Sequence, residues 1–510
     1  MNSSILRCRK PISRRAAVLL STLFPLILLS AHAQIVVNST GDGSNGYPPG
    51  FGSCDTNAFD NVIVCTLRAA IEVANGNPNA STITFNIPTT DPGYNAQTHS
   101  WTIRIPPSSP LPNLSTDMNI TGPGAAKLRV ASGGMLPNTP HLFSLTTPGT
   151  VSFSGITIGQ VDEFGEVSPG GIKNWNTGTV NITNCIIRDN VIERESGCGE
   201  ELVGALGAGI YNISGTVNVI SSTLSGNSVL GYSSEGGGIY NGSGTVNLMS
   251  SRIINNTAGV ITERNSFVVG GGIYNRSGTV NIRNSELSGN SATSGGAVFN
   301  SGLLNVTNCT FFGNSAVVRS TGSNRVGGGA IFNSFSSTGN VATANVSNST
   351  ISGNTALGVA TSTAGGGIFN FGGAGGAVNV KNTVIAGNNS AGLGPDVYSA
   401  FGGFSSKGFN LIGKKDGSTG FNAATDLKGT IKVPLDPKLG PLQNNGGPTQ
   451  TIALLTGSPA IDKGTSVSLA GPLTTDQRGT GFSRVHDNGA IANAAGGNGT
   501  DIGAFELQTP

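Results

Sequence analysis

The sequence predicts an all-β fold, a parallel β-helix closed by a short N-terminal helix and a C-terminal β/loop cap. Three observations predict it. The phrase GGGIYNGSGTVNLMSSRIINNT (Gly236–Thr257) returns thirty-four residues later as GGGIYNRSGTVNIRNSELSGNS (Gly270–Ser291). Inside the phrase, apolar and polar residues alternate with the period of a strand. The composition is low in charge, 11% of residues, and rich in glycine, 78 of 510. An average domain carries about 25% charged residues. Disorder would also need few aliphatic residues, and here Val, Ile and Leu recur at regular places.

The first 33 residues read as a signal peptide. Arg7, Arg9, Lys10, Arg14 and Arg15 give a basic start, Ala16 to Leu29 is mostly apolar, and Ala31–Ala33 (AHA) offers small residues for cleavage. The mature chain is expected to start near Gln34. The apolar run is shorter than the roughly 20 residues of a membrane-spanning helix, and no second long apolar run follows. SRRAAVLL also fits a twin-arginine signal, so the export route stays open. With a net charge of +2 and no basic block beyond this segment, nucleic acid is not an expected partner.

Residues 34–140 are expected to hold the N-terminal cap and the first irregular coils. CTLRAAIEVAN (Cys65–Asn75) spaces Leu67, Ala70, Ile71 and Ala74 as one face of a short helix. ITFNIP, WTIRIP and MNITGPG, between Ile83 and Val130, supply early strands.

Residues 141–412 contain the repeat. A G-[IV]-x-N element ends at Asn174, Asn212, Asn241, Asn275, Asn300, Asn333 and Asn370. An apolar–Asn–apolar triplet follows, with Asn at 181, 218, 247, 281, 305, 345 and 379. A short strand and a closing turn at Asn190, Asn227, Asn256, Asn290, Asn314, Asn354 or Asn388 complete each of seven coils. Such short strands cannot make a helical solenoid. Stacked at about 4.8 Å, they place Leu248 between Val219 and Ile282 and give a continuous apolar interior. The Asn columns, among them Asn212, Asn241 and Asn275, Asn218, Asn247 and Asn281, and Asn227, Asn256 and Asn290, read as structural ladders. Asn tolerates a left-handed backbone at a turn and shares amide bonds with the next coil.

Residues 413–510 form a Pro- and Gly-rich tail expected to close the far end. CTLRAAIEVAN resembles the N-terminal motif of the CSLREA family of secreted bacterial proteins, departing from it at Thr66 and Ala69. GPLQNNGGPTQTIALLTGSPAIDKG, TDQRG and DIGAFE closely resemble the choice-of-anchor Q domain, with Ile452 where His is usual. The coils, with GGAVFN and FFGNSA, are similar to repeats of chlamydial polymorphic outer-membrane proteins. These resemblances imply a right-handed β-helix exported to the cell surface or medium, and they imply no reaction. After DIGAFE no anchor helix, lipidation motif or barrel is visible.

The chain shows few residues spaced for chemistry. Cys54 and Cys65 bracket a short loop and are expected to form a disulfide in an exported chain. Cys185 and Cys309 hold one position in coils four apart, about 19 Å, beyond the ~7 Å a disulfide allows. Cys198 could reach Cys185, and that pairing stays open. His99, His141 and His486 sit in different regions without metal-ligand spacing. Asp189 beside Arg188 is the acid–base pair visible on a coil, where other coils have Gly226, Gly289, Gly313, Gly353 or Gly387. Glu193, Glu195, Glu200 and Glu201 form an acidic loop, weighed as solvated above calcium-binding. Asp476, Arg478, Asp501 and Glu506 read as a structural ion-pair and turn set.

No catalytic, cofactor or metal residues are therefore assigned. The function expected is that of an exported, non-catalytic surface or matrix protein, an adhesin or a binding scaffold. The alternative is a polysaccharide lyase or glycoside hydrolase on the same fold. A carbohydrate or cell-surface protein is expected to dock on the loop edge formed by Val191–Leu206, Thr257–Val269 and Ser315–Val326. Phe267, Val268 and Val269 are taken as exposed apolar contacts there.

Overall fold

Each coil is made of strands too short to be stable alone, and stacking supplies what they lack. The computed structural model describes residues 33–508 apart from 49, 78, 80, 107, 133–140, 161–169, 195–203, 232, 260–266, 318–325, 336–340, 359–362 and 374–375. The expected signal peptide therefore lies outside the described residues, all but Ala33. From Ala33 onward the chain is one compact unit, and it is a parallel β-helix.

Four parallel sheets run along the solenoid. Sheet A holds twelve strands, from Ala33–Val37 to Gly403–Ser406, and includes every apolar–Asn–apolar triplet. Sheet B has thirteen, from Tyr94–Asn95 to Leu427–Lys428, all parallel but the first, which pairs antiparallel with Ser100–Ile105. Sheet C has nine, from His141–Leu145 to Val397–Phe401, and contains the G-[IV]-x-N elements. Sheet D has seven, from Val191–Arg194 to Asn389–Ser390. Val219 pairs with Leu248, and Leu248 with Ile282, as the repeat predicts. Their side chains join a continuous core running from Ile35 to Phe421.

Turn chemistry divides between two sets of residues, which corrects the expectation that one Asn serves both as ladder and as left-handed turn. The left-handed residues between sheets A and B are Asn184, Ser221, Ser250, Asn284, Asn308, Asn348 and Asn382. A second set, Asp189, Gly226, Asn255, Gly289, Gly313, Gly353 and Gly387, stands just before each closing Asn. The ladder residues themselves lie elsewhere. Glycine suits Gly226, where φ is +63° and a Cβ would sit 2.4 Å from Asp189 Oδ1 of the coil before unless that carboxylate shifted; Asp189 and Asn255 are the side-chain-bearing residues of this set.

The helix α1 (Leu67–Asn75) is the one helix among the described residues. Thr66 caps it, its hydroxyl accepting from the Ala69 N–H at 3.1 Å. Leu67, Ala70, Ile71 and Ala74 face the first coils and join the core. A disulfide links Cys54 to Cys65, just before the cap.

The tail does more than close the end. Leu427–Lys428 extends sheet B beyond Leu411–Ile412. The chain then turns back along the outer face of sheet B, over coils already built. Asn308, Asn348 and Asn382 donate their amides to the carbonyls of Thr475, Thr465 and Asp501, at 2.9, 3.2 and 3.1 Å. Val384 and Leu411 of the sheet, with Ala386 just past its strand, pack with Leu454, Ala460, Ile461 and Ile502 of the tail. It is a lateral clasp.

Candidate ligand-binding surfaces

Three Asn ladders fix the frame on which any site must sit. In the first, Asn212 donates to Asn241 at 2.8 Å and Asn241 to Asn275 at 2.9 Å. In the closing ladder, Asn256 Oδ1 accepts both the side-chain amide (2.8 Å) and the backbone N–H (3.1 Å) of Asn227, and Asn290 Oδ1 does the same for Asn256. Both ladders are fully buried. The third, Asn218, Asn247 and Asn281, is half-buried on sheet A and donates backward, Asn247 to Asn218 and Asn281 to Asn247, each at 2.8 Å. The closing ladder ends on a carboxylate: Asp396 Oδ1 accepts the amide and the backbone N–H of Asn388. An acceptor-only group fits the last rung, where no further acceptor is offered.

The expected loop edge exists, but much of it is built structure. The three variable segments begin as strands of sheet D: Val191–Arg194, Thr257–Gly259 and Ser315–Val317. Two return as strands of a small sheet, Ala205–Leu206 and Phe267–Val269, on either side of Ser233–Glu235. Val268 and Val269 are each only 3% exposed, which corrects their reading as exposed contacts. Val269 packs on a column of rings on the outer face of sheet C. That column runs Tyr211, Tyr240, Tyr274, Phe299, Phe332, Phe369, Tyr398, with centroids 4.7 to 5.6 Å apart. One ring per coil, at the coil pitch, makes each a neighbour of the next. The middle residues of all three segments, 195–203, 260–266 and 318–325, lie outside the described residues, with Glu195, Cys198, Glu200 and Glu201 among them.

Rings reach solvent at both ends of this column. Trp175, 48% exposed, lies under the Lys173 ammonium, 3.6 Å from the ring centroid. At the other end Phe335 and Phe401 flank Phe371, at 5.6 and 5.1 Å.

Two acid–base pairs on the coils are engaged in the frame. Asp189 sits at its left-handed turn, 3.6 Å from Arg188. A second pair escaped the sequence reading, Arg252 and Glu286, which are in register on adjacent coils and 2.8 Å apart. Their spacing in the repeat could have revealed them. Glu286 is fully buried and also accepts from Ser288 and from the Gln450 N–H of the tail. In the tail, Arg478 grips Asp476 at 2.7 Å and lies between the rings of Phe482 and Phe505. Asp501 and Glu506 accept backbone N–H bonds, from Asp462 and Leu507 and from Asp501 and His486. Burial pushes the thiols of Cys185 and Cys309 up to about 11 and about 12. Both are buried free thiols, bonded to the carbonyls of Thr183 and Thr307. No group of three His, Cys, Asp or Glu able to share a metal occurs among the described residues.

Near the N-terminal end an antiparallel hairpin, Tyr94–Asn95 with Ser100–Ile105, opens two clefts. The inner one, about 360 Å³, lies between the hairpin and the ends of the first strands, lined by Phe85, Asn86, Tyr94, His99, Trp101 and Lys127. Tyr94 and Trp101 stand 5.0 Å apart at 46°. The Tyr94 hydroxyl meets His99 Nδ1 at 3.1 Å, and the Trp101 indole donates to the Pro88 carbonyl at 3.1 Å. The outer cleft shares Tyr94 and reaches Arg104. No repeat runs through this region, so the sequence offered no periodic signal for it.

The fold is that of the parallel β-helix proteins, here with a tail clasped along one flank. No family model and no curated protein matches the chain. Among solved structures it is similar to pectate lyase Pel9A, at 13% identity over 94% of this chain and 97% of that one, with a TM-score of 0.42. It is also similar to the Geobacillus virus E2 ORF18 protein, at 11% identity over 65% of this chain and 55% of that one, with a TM-score of 0.31. Neither likeness carries an inference about what this chain does.

Proposed function

We propose that this is an exported, non-catalytic β-helix scaffold, a surface or matrix protein that holds a carbohydrate or protein partner along its loop edge. One observation carries the reading. Buried amide ladders tie coil to coil without interruption, while the segments between sheet D and sheet C differ from coil to coil in length and content. A rigid frame with variable edges is how scaffolds carry recognition. The acids of the coils add support, because Glu286 and Asp189 are engaged in holding the frame. The disulfide suits export, and no helix among the described residues is long and apolar enough to cross a membrane. The likeness of Cys65–Asn75 to the CSLREA motif, and of the tail to the choice-of-anchor Q domain, belongs to the same proposal. The lyase or hydrolase reading ranks second, since fold alone assigns no reaction.

A glycan array with the purified mature chain, beside a lyase and hydrolase assay on the glycans it binds, tests this. Binding without turnover is the expected result, and turnover would replace the proposal with the enzyme. The edge itself is tested by deleting 260–266 alone. That leaves Thr257–Gly259 in sheet D and Phe267–Val269 beside Ser233–Glu235. Folding should survive and affinity for the identified partner should drop; unchanged affinity removes the partner from this edge.

A further inference from the structure

The inner cleft of the N-terminal hairpin has the makings of a second site, far from the loop edge in the order of coils. Its walls are two aromatic rings set at an angle, Tyr94 and Trp101, backed by Phe85. Its polar groups are few and distinct. Lys127 and Asn86, both exposed, line the cleft, and no hydrogen bond or ion pair engages either side chain among the described residues. The hydrogen bonds of Trp101 and Tyr94, to Pro88 and His99, fix both rings in place. Thr102 N–H to the Gly93 carbonyl, at 2.9 Å, ties the two strands of the hairpin behind them. The cleft's volume, about 360 Å³, falls within the range of small-molecule sites.

We infer that this cleft binds a carboxylate-bearing sugar, a pyranose whose apolar C–H face stacks on Tyr94 or Trp101 and whose carboxylate meets Lys127. Aromatic rings offer a flat apolar face that a sugar's C–H groups can cover. A single ammonium is a point charge that suits one carboxylate, and the Asn86 amide can both donate to and accept from ring hydroxyls. Phosphate recognition favours clustered or bidentate donors, such as Arg forks and helix N-termini. The inner cleft has no Arg fork, since Arg104 belongs to the outer one, and no helix N-terminus, and its His99 is engaged by the Tyr94 hydroxyl. That decides for a uronate or sialate over a nucleotide.

The chain has two tryptophans, Trp101 and Trp175, so the variant Trp175→Phe leaves Trp101 as the only indole reporter. Titrating that protein with glucuronate, galacturonate, sialate, glucose, galactose and AMP should give a saturable change in Trp101 emission with one or more of the acidic sugars. Which of them saturates separates uronate from sialate. Lys127→Gln should weaken that binding about tenfold or more, the loss of one charge-assisted bond. Lys127→Arg should retain most of it. Neutral sugars should bind at least about tenfold more weakly than the acid and respond little to either change. Equal binding of glucose or galactose, preference for AMP, an unchanged affinity in Lys127→Gln, or no emission change with any acid would each overturn the assignment. The site goes beyond the loop-edge reading. Deleting 260–266 should leave this titration unaltered, so the two readings fail separately.

Discussion

At the scale of the residue, three positions of one coil separate what holds this fold. Leu248 is 2% exposed and packs between Val219 and Ile282. Truncating it to Ala removes core contacts and should cost about 2–5 kcal/mol. Asn256 is fully buried, and its Oδ1 takes two N–H donors of Asn227. Asn256→Ala leaves the Asn227 backbone N–H without an acceptor and should cost about 2–4 kcal/mol. Asn247 belongs to the half-exposed ladder, where water can replace the lost partner, so Asn247→Ala should cost about 1 kcal/mol or less. Thermal melts of the three variants check the order. Equal melting temperatures for Asn247→Ala and Asn256→Ala would contradict the distinction between inner and outer ladders.

At the scale of the element, the legible parts are those that repeat. Val246–Asn247–Leu248 announces its own faces by alternation, and α1 by the spacing of Leu67, Ala70, Ile71 and Ala74. What was not legible depends on contacts between distant segments. Nothing local in Phe267–Val269 says that it pairs with Ser233–Glu235 or that Val269 packs with the column of rings. Apolar residues after a variable stretch look exposed until the strand that receives them is known. The Arg252–Glu286 pair differs, because the thirty-four-residue repeat already sets the two in register on adjacent coils, and only a comparison within one coil misses it. The hairpin cleft lies in the irregular early coils, where no period points to it.

The N-terminal cap offers a prediction of its own. The Cys54–Cys65 bond closes a loop of eleven residues' separation directly before Thr66 and α1. Closing a loop near that length is worth about 3 kcal/mol. In a solenoid each coil touches only its neighbours, so damage at one end should stay there. Replacing Cys54 and Cys65 by Ala should raise amide exchange across residues 38–75 and leave sheet C strands such as Ile273–Asn275 protected. Exchange that rises equally along all coils would show the cap to govern the whole solenoid.

At the scale of the molecule, the tail binds coils that the chain completed long before, and its acids make that clasp sensitive to pH. Its carboxylates are buried with few opposite charges. Burial pushes Glu506 up to about 9 and Asp501 to about 6. Asp396, at the end of the closing ladder, also rises to about 6 through burial. Hydrogen bonds from backbone N–H groups and, for the tail pair, the Arg484 charge pull these values down without overcoming burial. In the unfolded chain such groups titrate near about 4. The folded protein therefore holds these protons more tightly than the unfolded one. The stability they contribute is complete below about pH 4 and is lost as pH rises through about 6 and then about 9. The melting temperature should accordingly fall between about pH 6 and pH 9, the window set by Glu506. Glu506→Gln removes that titration and should flatten this limb. It should also lower the melting temperature at every pH, because an amide nitrogen would face the N–H of Asp501 or His486, which Glu506 now accepts. Melts across this range in both proteins decide the matter. A parent protein that grows more stable from pH 6 to pH 9, or a variant with the parent's slope, would mean that Glu506 does not carry its proton inside the clasp.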